Sequence, residues 1–321
     1  MDTGHTKHGQ TSYENLDEMK QIEINSNSDG IVLKAIAIEA AQPKGTVQIV
    51  HGMCEHKERY IPFMEFLAAH GYNCICHDHR GHGGSVKSPE DLGFMYSGGW
   101  RAMVDDARLV GQRAKAEWPG LPLYLFGHSM GSMVVRSFTK RYDDEIDGLF
   151  VCGCPSKNAA APLGRLLAKL AGLGNGGRKR PALLQAMSLG SFNKNFESEG
   201  KNAWVCSDAE ALALYNADPL CQFQFTANGF ENLLGLSMDC YCRKGWAMKN
   251  PKLPVRFISG GDDPCRISDK DLDKAVAMMM AVGYGDVELT VYDGMRHEIL
   301  NETDKAEVWN NILCELDGWA R

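Results

Sequence analysis

The pentapeptide Gly127-His128-Ser129-Met130-Gly131 constrains what this chain can fold into more than any other stretch. Before it runs Leu121-Pro122-Leu123-Tyr124-Leu125-Phe126, which reads as a buried strand. After it comes Val134-Val135-Arg136-Ser137-Phe138, which reads as the start of a helix. A serine between two glycines at such a junction is a nucleophile-elbow pattern. The turn is so tight that the serine backbone is strained, and side chains at the flanking positions would strike the strand or the helix. The hydroxyl of Ser129 is then held at the head of a helix, whose N-terminus favours negative charge.

The rest of the chain supplies the elements that such a junction needs. Residues 22–24 and 31–38 read as two opening strands joined by the turn Asn25-Ser26-Asn27-Ser28-Asp29-Gly30. Further strands are expected at 46–50, 72–76, 146–152, 254–259 and 287–292. Helices are expected at 60–70, 100–118, 268–282 and 302–319. Strands alternating with helices imply an α/β fold with a mainly parallel central sheet, covered by helices on both faces.

From Ser156 to Gly245 the alternation stops. This stretch is rich in Leu, Ala and Gly, and Leu163, Leu166, Leu167 and Leu170 fall at helical spacing. It reads as a helical cap (156–245) inserted into a core formed by 1–155 and 246–321, whose first dozen residues are expected to be mobile. The cap holds ten basic against seven acidic residues in a chain of net charge −7. Arg178-Lys179-Arg180 concentrates the positive charge beside the leucine helix. Two readings apply: a solvated loop next to a helix packed on the sheet, or a lip that approaches anionic lipid surfaces.

The negative net charge argues against nucleic acid as a partner, because binding a phosphate backbone needs a basic surface. No apolar run reaches the roughly 18 residues of a spanning helix, and the polar N-terminus lacks a secretory pattern. The 11 scattered cysteines are an odd number and do not read as a disulfide framework, so a reducing, cytoplasmic compartment is expected. The pairs Cys74/Cys76, Cys152/Cys154 and Cys240/Cys242 are closer-spaced than zinc ligands usually are. His77, His79 and His82 fit a loop in which Asp78 and Arg80 tie down a strand end better than they fit a metal site. No metal or cofactor is expected.

A serine hydroxyl is a poor nucleophile until a base takes its proton, and the base needs an acid to hold its tautomer. The order serine, acid, histidine is present. Asp263 ends a strand in Gly260-Gly261-Asp262-Asp263-Pro264, and His297 follows the last strand and a glycine turn. Asp262 competes for the role of acid. Asp263 is favoured because Pro264 fixes its backbone, leaving Asp262 as a turn cap. A developing oxyanion needs N–H donors. Met130 supplies one backbone N–H and Met53, in the loop His51-Gly52-Met53-Cys54-Glu55-His56, is nominated for the other. His51 and Glu55 read as loop-ordering residues, and Cys54 either lies close enough to make thiol reagents inhibitory or is an inert neighbour.

Four blocks now carry a resemblance: residues 51–56, Asp78-His79-Arg80-Gly81-His82-Gly83, residues 127–131, and Gly260 to Asp263 with His297. From about residue 20 to the end, the chain resembles the monoacylglycerol lipase/lysophospholipase branch of the α/β-hydrolases, also labelled serine aminopeptidase-like. The resemblance implies Ser129 as nucleophile, Asp263 as acid, His297 as base, the Met53 and Met130 N–H groups as oxyanion hole, and a helical cap that shapes an acyl channel. The segments Met187-Ser188-Leu189-Gly190-Ser191-Phe192-Asn193 and Asp218-Pro219-Leu220 look like cap motifs of bacterial members. Met53 stands where the family often has a small residue, which bears on channel shape. The expected activity is hydrolysis of a small acyl ester, of monoacylglycerol or lysophospholipid type, with transient membrane contact through the cap. The alternative is aminopeptidase chemistry, with Glu197, Glu199, Asp208 or Glu210 holding a substrate ammonium. A non-catalytic binding protein is disfavoured because Ser, Asp and His are all present.

Overall fold

A computed structural model describes residues 19–320. The expected mobile dozen at the N-terminus lies outside them. Eight strands form one sheet: β1 Lys20–Asn25, β2 Val32–Ile38, β3 Gly45–Val50, β4 Tyr72–His77, β5 Leu123–His128, β6 Gly148–Cys152, β7 Val255–Gly260 and β8 Val287–Tyr292. Their order is β1-β2-β4-β3-β5-β6-β7-β8. The β1–β2 hairpin and the β2–β4 pair are antiparallel, and every later pair is parallel.

The inner strands β3 to β6 are buried along their whole length. Their side chains still sort by parity, as a pleat requires. Leu125, Leu149 and Val151 enter the core on one face, with α2 (Gly99–Glu117), α3 (Met130–Tyr142) and α8 (Asp269–Val282). Tyr124, Phe126, Phe150 and Cys152 enter the other, with α1 (Ile61–Ala69) and α9 (Lys305–Trp319). Cys74, Cys76 and Cys152 are fully buried among apolar neighbours and pack as small hydrophobes. Observed element ends lie within three residues of the expected ones, except that α3 begins at Met130, four residues before the expected start.

Between β6 and β7 the chain leaves the sheet and carries four helices: α4 Ala161–Ala171, α5 Ala182–Leu189, α6 Ala209–Ala217 and α7 Ala227–Cys240. The leucine stripe of α4 does not face the sheet. The buried positions of this helix are Ala161, Gly164 and Ala168. Small residues let α4 lie close on α7, where a side chain at Gly164 would meet Leu234 at 3.0 Å. Leu163, Leu166 and Leu170 are 61%, 52% and 54% exposed. The reading of a helix packed on the sheet is therefore corrected: α4 packs on α7 and turns Leu163, Leu166 and Leu170 outward, while Leu167 is half-buried against the core. The basic cluster beside it is also more occupied than its sequence suggests. Arg178 pairs with Asp91 and lies over the Phe94 ring, and Arg180 donates to the carbonyls of Glu90, Leu92 and Gln224. Two of its three charges pin the insertion to the loop before α2.

Candidate active site

Three successive features of the sheet converge on one end. The turn from β5 into α3 puts Ser129 at φ 53° and ψ −115°, a left-handed conformation rare outside glycine. A Cβ at Gly127 would lie 2.5 Å from the Gly131 carbonyl oxygen and 2.6 Å from Val135. One at Gly131 would collide with the carbonyl oxygens of Val50 and His51 at the end of β3. The two glycines thus let strand, turn and helix close on each other.

β7 and β8 deliver the second and third features. Asp263 sits just beyond β7 and is buried, while Asp262 is exposed. Asp263 Oδ2 accepts a hydrogen bond from His297 Nδ1 at 2.9 Å, and Oδ1 accepts the Cys265 N–H at 2.8 Å. The capping work expected of Asp262 is therefore done by Asp263, which serves the imidazole with one oxygen and the turn with the other. Asp262 contributes its backbone N–H to the Met295 carbonyl. Burial pulls the His297 pKa down, but the Asp263 carboxylate outweighs it and holds the imidazole well above its ordinary value. Burial likewise works against the Asp263 carboxylate, and the imidazole beside it keeps its pKa below the usual range.

Ser129, His297, Met53 and Met130 line one cavity of about 650 Å³ under the helical insertion. Among the described residues, neither the Met53 nor the Met130 backbone N–H has an acceptor. No hydrogen bond joins Ser129 to His297, whose Nε2 instead lies 3.9 Å from Cys265 Sγ. Much of the wall is apolar and comes from both parts of the chain: Met133 from α3, Met187 and Phe192 from the insertion, Leu233 and Leu234 from α7.

The loop after β3 is held from below. Glu55 accepts the Gly52 N–H, the Tyr60 hydroxyl at 3.1 Å and Arg59 at 3.2 Å. His51 donates from Nδ1 to the Gly52 carbonyl at 2.8 Å and accepts the His79 N–H at 3.0 Å. Both are loop-ordering, as expected. Burial pushes the Glu55 carboxyl up to about 7. Cys54, at φ 55°, directs its thiol to the Phe223 carbonyl at 3.2 Å, and burial pushes its pKa far up. Such a thiol is inert rather than a handle for thiol reagents. Asp78 and Arg80 tie down the end of β4: Asp78 holds Lys57 and the Gly84 N–H, and Arg80 holds Asp106, Asp29 and Ser26.

Sequence reasoning missed the supports of the histidine. Trp204 of the insertion lies 5.1 Å from the His297 ring and His128 lies 4.7 Å from it. Glu298 forms a two-bonded pair with Arg59 at 2.6 Å. The adjacency of Glu298 to His297 was the only local signal for this pair.

A mainly parallel sheet with a strained serine at the head of the helix after β5 defines the α/β-hydrolase class. Within that class, a family model described as serine aminopeptidase, S33 matches residues 41–304, and the chain belongs to that family. A monoacylglycerol lipase of Mycolicibacterium smegmatis is 28% identical over 275 residues, covering 84% of this chain and 87% of that protein. A thermostable carboxyl esterase of Bacillus coagulans, solved in complex with glycerol, superposes with a TM-score of 0.85 at 23% identity, covering 94% of this chain and 99% of that one. A soluble variant of the Saccharomyces cerevisiae monoglyceride lipase, bound to a substrate analog, gives 0.70 at 20% identity, over 94% and 95% of the two chains.

Proposed function

We propose that this chain is a serine hydrolase that cleaves carboxylic esters of single acyl chains, of monoacylglycerol or lysophospholipid type. The observation that carries the reading is the Asp263–His297 hydrogen bond at the wall of an apolar cavity that also holds the strained Ser129. The mycobacterial relative's name points the same way.

In this reading Ser129 attacks the ester carbonyl as His297 takes its proton, once substrate entry draws the imidazole from Cys265 to the serine. Asp263 holds the tautomer and stabilises the imidazolium. The unoccupied Met53 and Met130 N–H groups receive the oxyanion. His297 then protonates the leaving alcohol, and water releases the acid from the acyl-serine. The insertion, 156–245, acts as a cap whose apolar wall takes the acyl chain, at about 0.8 kcal/mol per buried methylene.

An aminopeptidase needs an unpaired acid near the serine. Of the four candidates, Glu199 pairs with Arg296 at 2.6 Å and Asp208 caps α6, and none of the four lines the cavity. The acids that do line it, Glu55 and Glu298, both pair with Arg59. This favours an ester.

The outward leucines of α4, with Leu173, Leu183 and Met187 at 72%, 66% and 58% exposure, form the face that touches a lipid surface to collect substrate. No helix of the described residues is long and apolar enough to cross a membrane. The thiol-rich composition suits a cytoplasmic setting.

The test is turnover of p-nitrophenyl esters from short to long chains beside an aminoacyl anilide, with Ser129→Ala as control. Ester turnover that rises with chain length and drops roughly 10⁴-fold or more in the variant is expected. Faster anilide turnover than any ester would move the chain to the peptidase reading.

A further inference from the structure

A second cluster of ligating side chains lies outside the triad and joins the core to the insertion. His56 follows the loop after β3, three residues past Met53. Asp218 and Cys221 belong to the 3₁₀ turn that follows α6. One ligand atom of each residue lies within 4.8 Å of the other two. His56 Nε2 is 2.7 Å from Asp218 Oδ2, and Asp218 Oδ1 is fixed by the Leu220 N–H at 2.8 Å. His56 and Cys221 are each 3% exposed, while the Asp218 side chain keeps 12%, so the cluster is one carboxylate away from solvent.

The surroundings add an independent sign. His56 Nδ1 donates to Glu58 Oε2 at 2.7 Å, and Glu58 is held in turn by Lys57 at 2.6 Å. A histidine whose far nitrogen is bound to an anchored carboxylate is the usual support of a metal-ligating imidazole, because it fixes the ring and leaves Nε2 for the ion.

We propose that His56, Asp218 and Cys221 bind a divalent transition metal of the zinc type, clamping the loop after β3 to the helical insertion. Thiol, imidazole and carboxylate together select zinc or cobalt over magnesium or calcium, which prefer all-oxygen sites. Three protein ligands leave a fourth, tetrahedral position for water. On binding, bonds form from the metal to Nε2, Sγ and Oδ2, and the hydrogen bond between Nε2 and Oδ2 breaks. The Nε2 and Sγ protons pass to water. One dication replaces two protons, so the net charge of this buried cluster does not change, and nothing is oxidised. The sequence hides the site because 162 residues separate His56 from Asp218, the nearer of the other two ligands.

The proposal is independent of the ester-hydrolase reading, and its test does not use activity. The full chain is titrated with cobalt(II) and the thiolate-to-cobalt charge-transfer band is followed. The competing cluster is Asp263, Cys265 and His297 in the triad. One equivalent of band in the native chain and in Cys265→Ser, with loss of the band in Cys221→Ser, is expected. Zinc should raise Tm in the first two and not in the third. Asp218→Asn, which keeps a hydrogen-bonding partner for His56 but loses the anionic ligand, should retain the band and weaken cobalt affinity about tenfold or more. This variant also carries the test if Cys221→Ser does not fold. A band that survives Cys221→Ser, vanishes in Cys265→Ser, or never forms in the native chain overturns the proposal, as does undiminished affinity in Asp218→Asn.

Discussion

At Gly131 the carbonyl oxygens of Val50 and His51 already occupy the space a side chain would need. Gly131→Ala must push α3 away from β3 and carry Ser129 with it. Loss of roughly 1–3 kcal/mol is expected, read as a lowered urea midpoint, together with loss of fluorophosphonate labelling at Ser129. Asp263→Asn tests a different link. The amide can still cap the turn through its oxygen, but it cannot stabilise an imidazolium. Ester turnover should fall roughly 10³–10⁴-fold with little change in Tm. Asp262→Asn, on an exposed side chain one position away, should leave turnover within a few-fold of native. Equal losses in the two variants would sink the assignment of Asp263 as the acid.

Helix α4 shows what periodicity can and cannot say about an element. The spacing of Leu163, Leu166, Leu167 and Leu170 announces a helix with one apolar stripe, and the helix is there. Periodicity states which residues share a stripe, not what the stripe meets. Here the second, narrower stripe of Ala161, Gly164 and Ala168 meets α7, because small residues permit a closer approach than leucines do. Replacing Leu163, Leu166 and Leu170 with serine is therefore expected to cost little stability. It should lower binding to lipid vesicles and turnover of dispersed long-chain esters several-fold, while a soluble short ester is cleaved as before. A large drop in Tm would show that the stripe is packed rather than free. The strands were legible for a simpler reason. β3 to β6 are buried on both faces, so each appears as a mainly apolar stretch bounded by turns, interrupted in β3 by Thr46 and Gln48 and in β4 by Asn73. Their order across the sheet was not legible, since placing β4 between β2 and β3 depends on contacts that no local pattern encodes.

For the whole molecule, the buried histidines set the response to acid. Burial pushes His77 and His82 down to about 4 and His128 to about 3, and lowers His51 and His79 as well. All five are neutral in the native chain, and each takes a proton on unfolding once pH is below about 6.5. Their contribution is complete above that value and is lost as pH falls toward about 4. Glu55, at about 7, opposes them over the same interval, as do Asp78 and Asp106, whose carboxyls burial also raises. His56 and His297 are shifted upward, so their contribution is complete below about 6.5 and fades as pH rises. Urea midpoints measured from pH 4 to 9 should peak near neutrality and fall on the acid side by a few kcal/mol; a flat acid limb would refute this balance. The residues proposed as the triad were readable because each sits next to a strand end with its own local signature. The pairs Arg59–Glu298 and His56–Asp218 were not, because 239 and 162 residues separate partners that only the closed fold brings together. The path of the chain through the sheet has a further consequence. β6 and β7 are hydrogen-bonded neighbours, so the helical insertion departs from one strand and returns to the next. Its two ends enter through adjacent doorways. Such an excursion is a cassette: it can lengthen, shrink or be exchanged without re-threading a strand or moving the serine. A different roof can therefore be fitted over the same sheet, provided that it again supplies the contact Trp204 makes with His297.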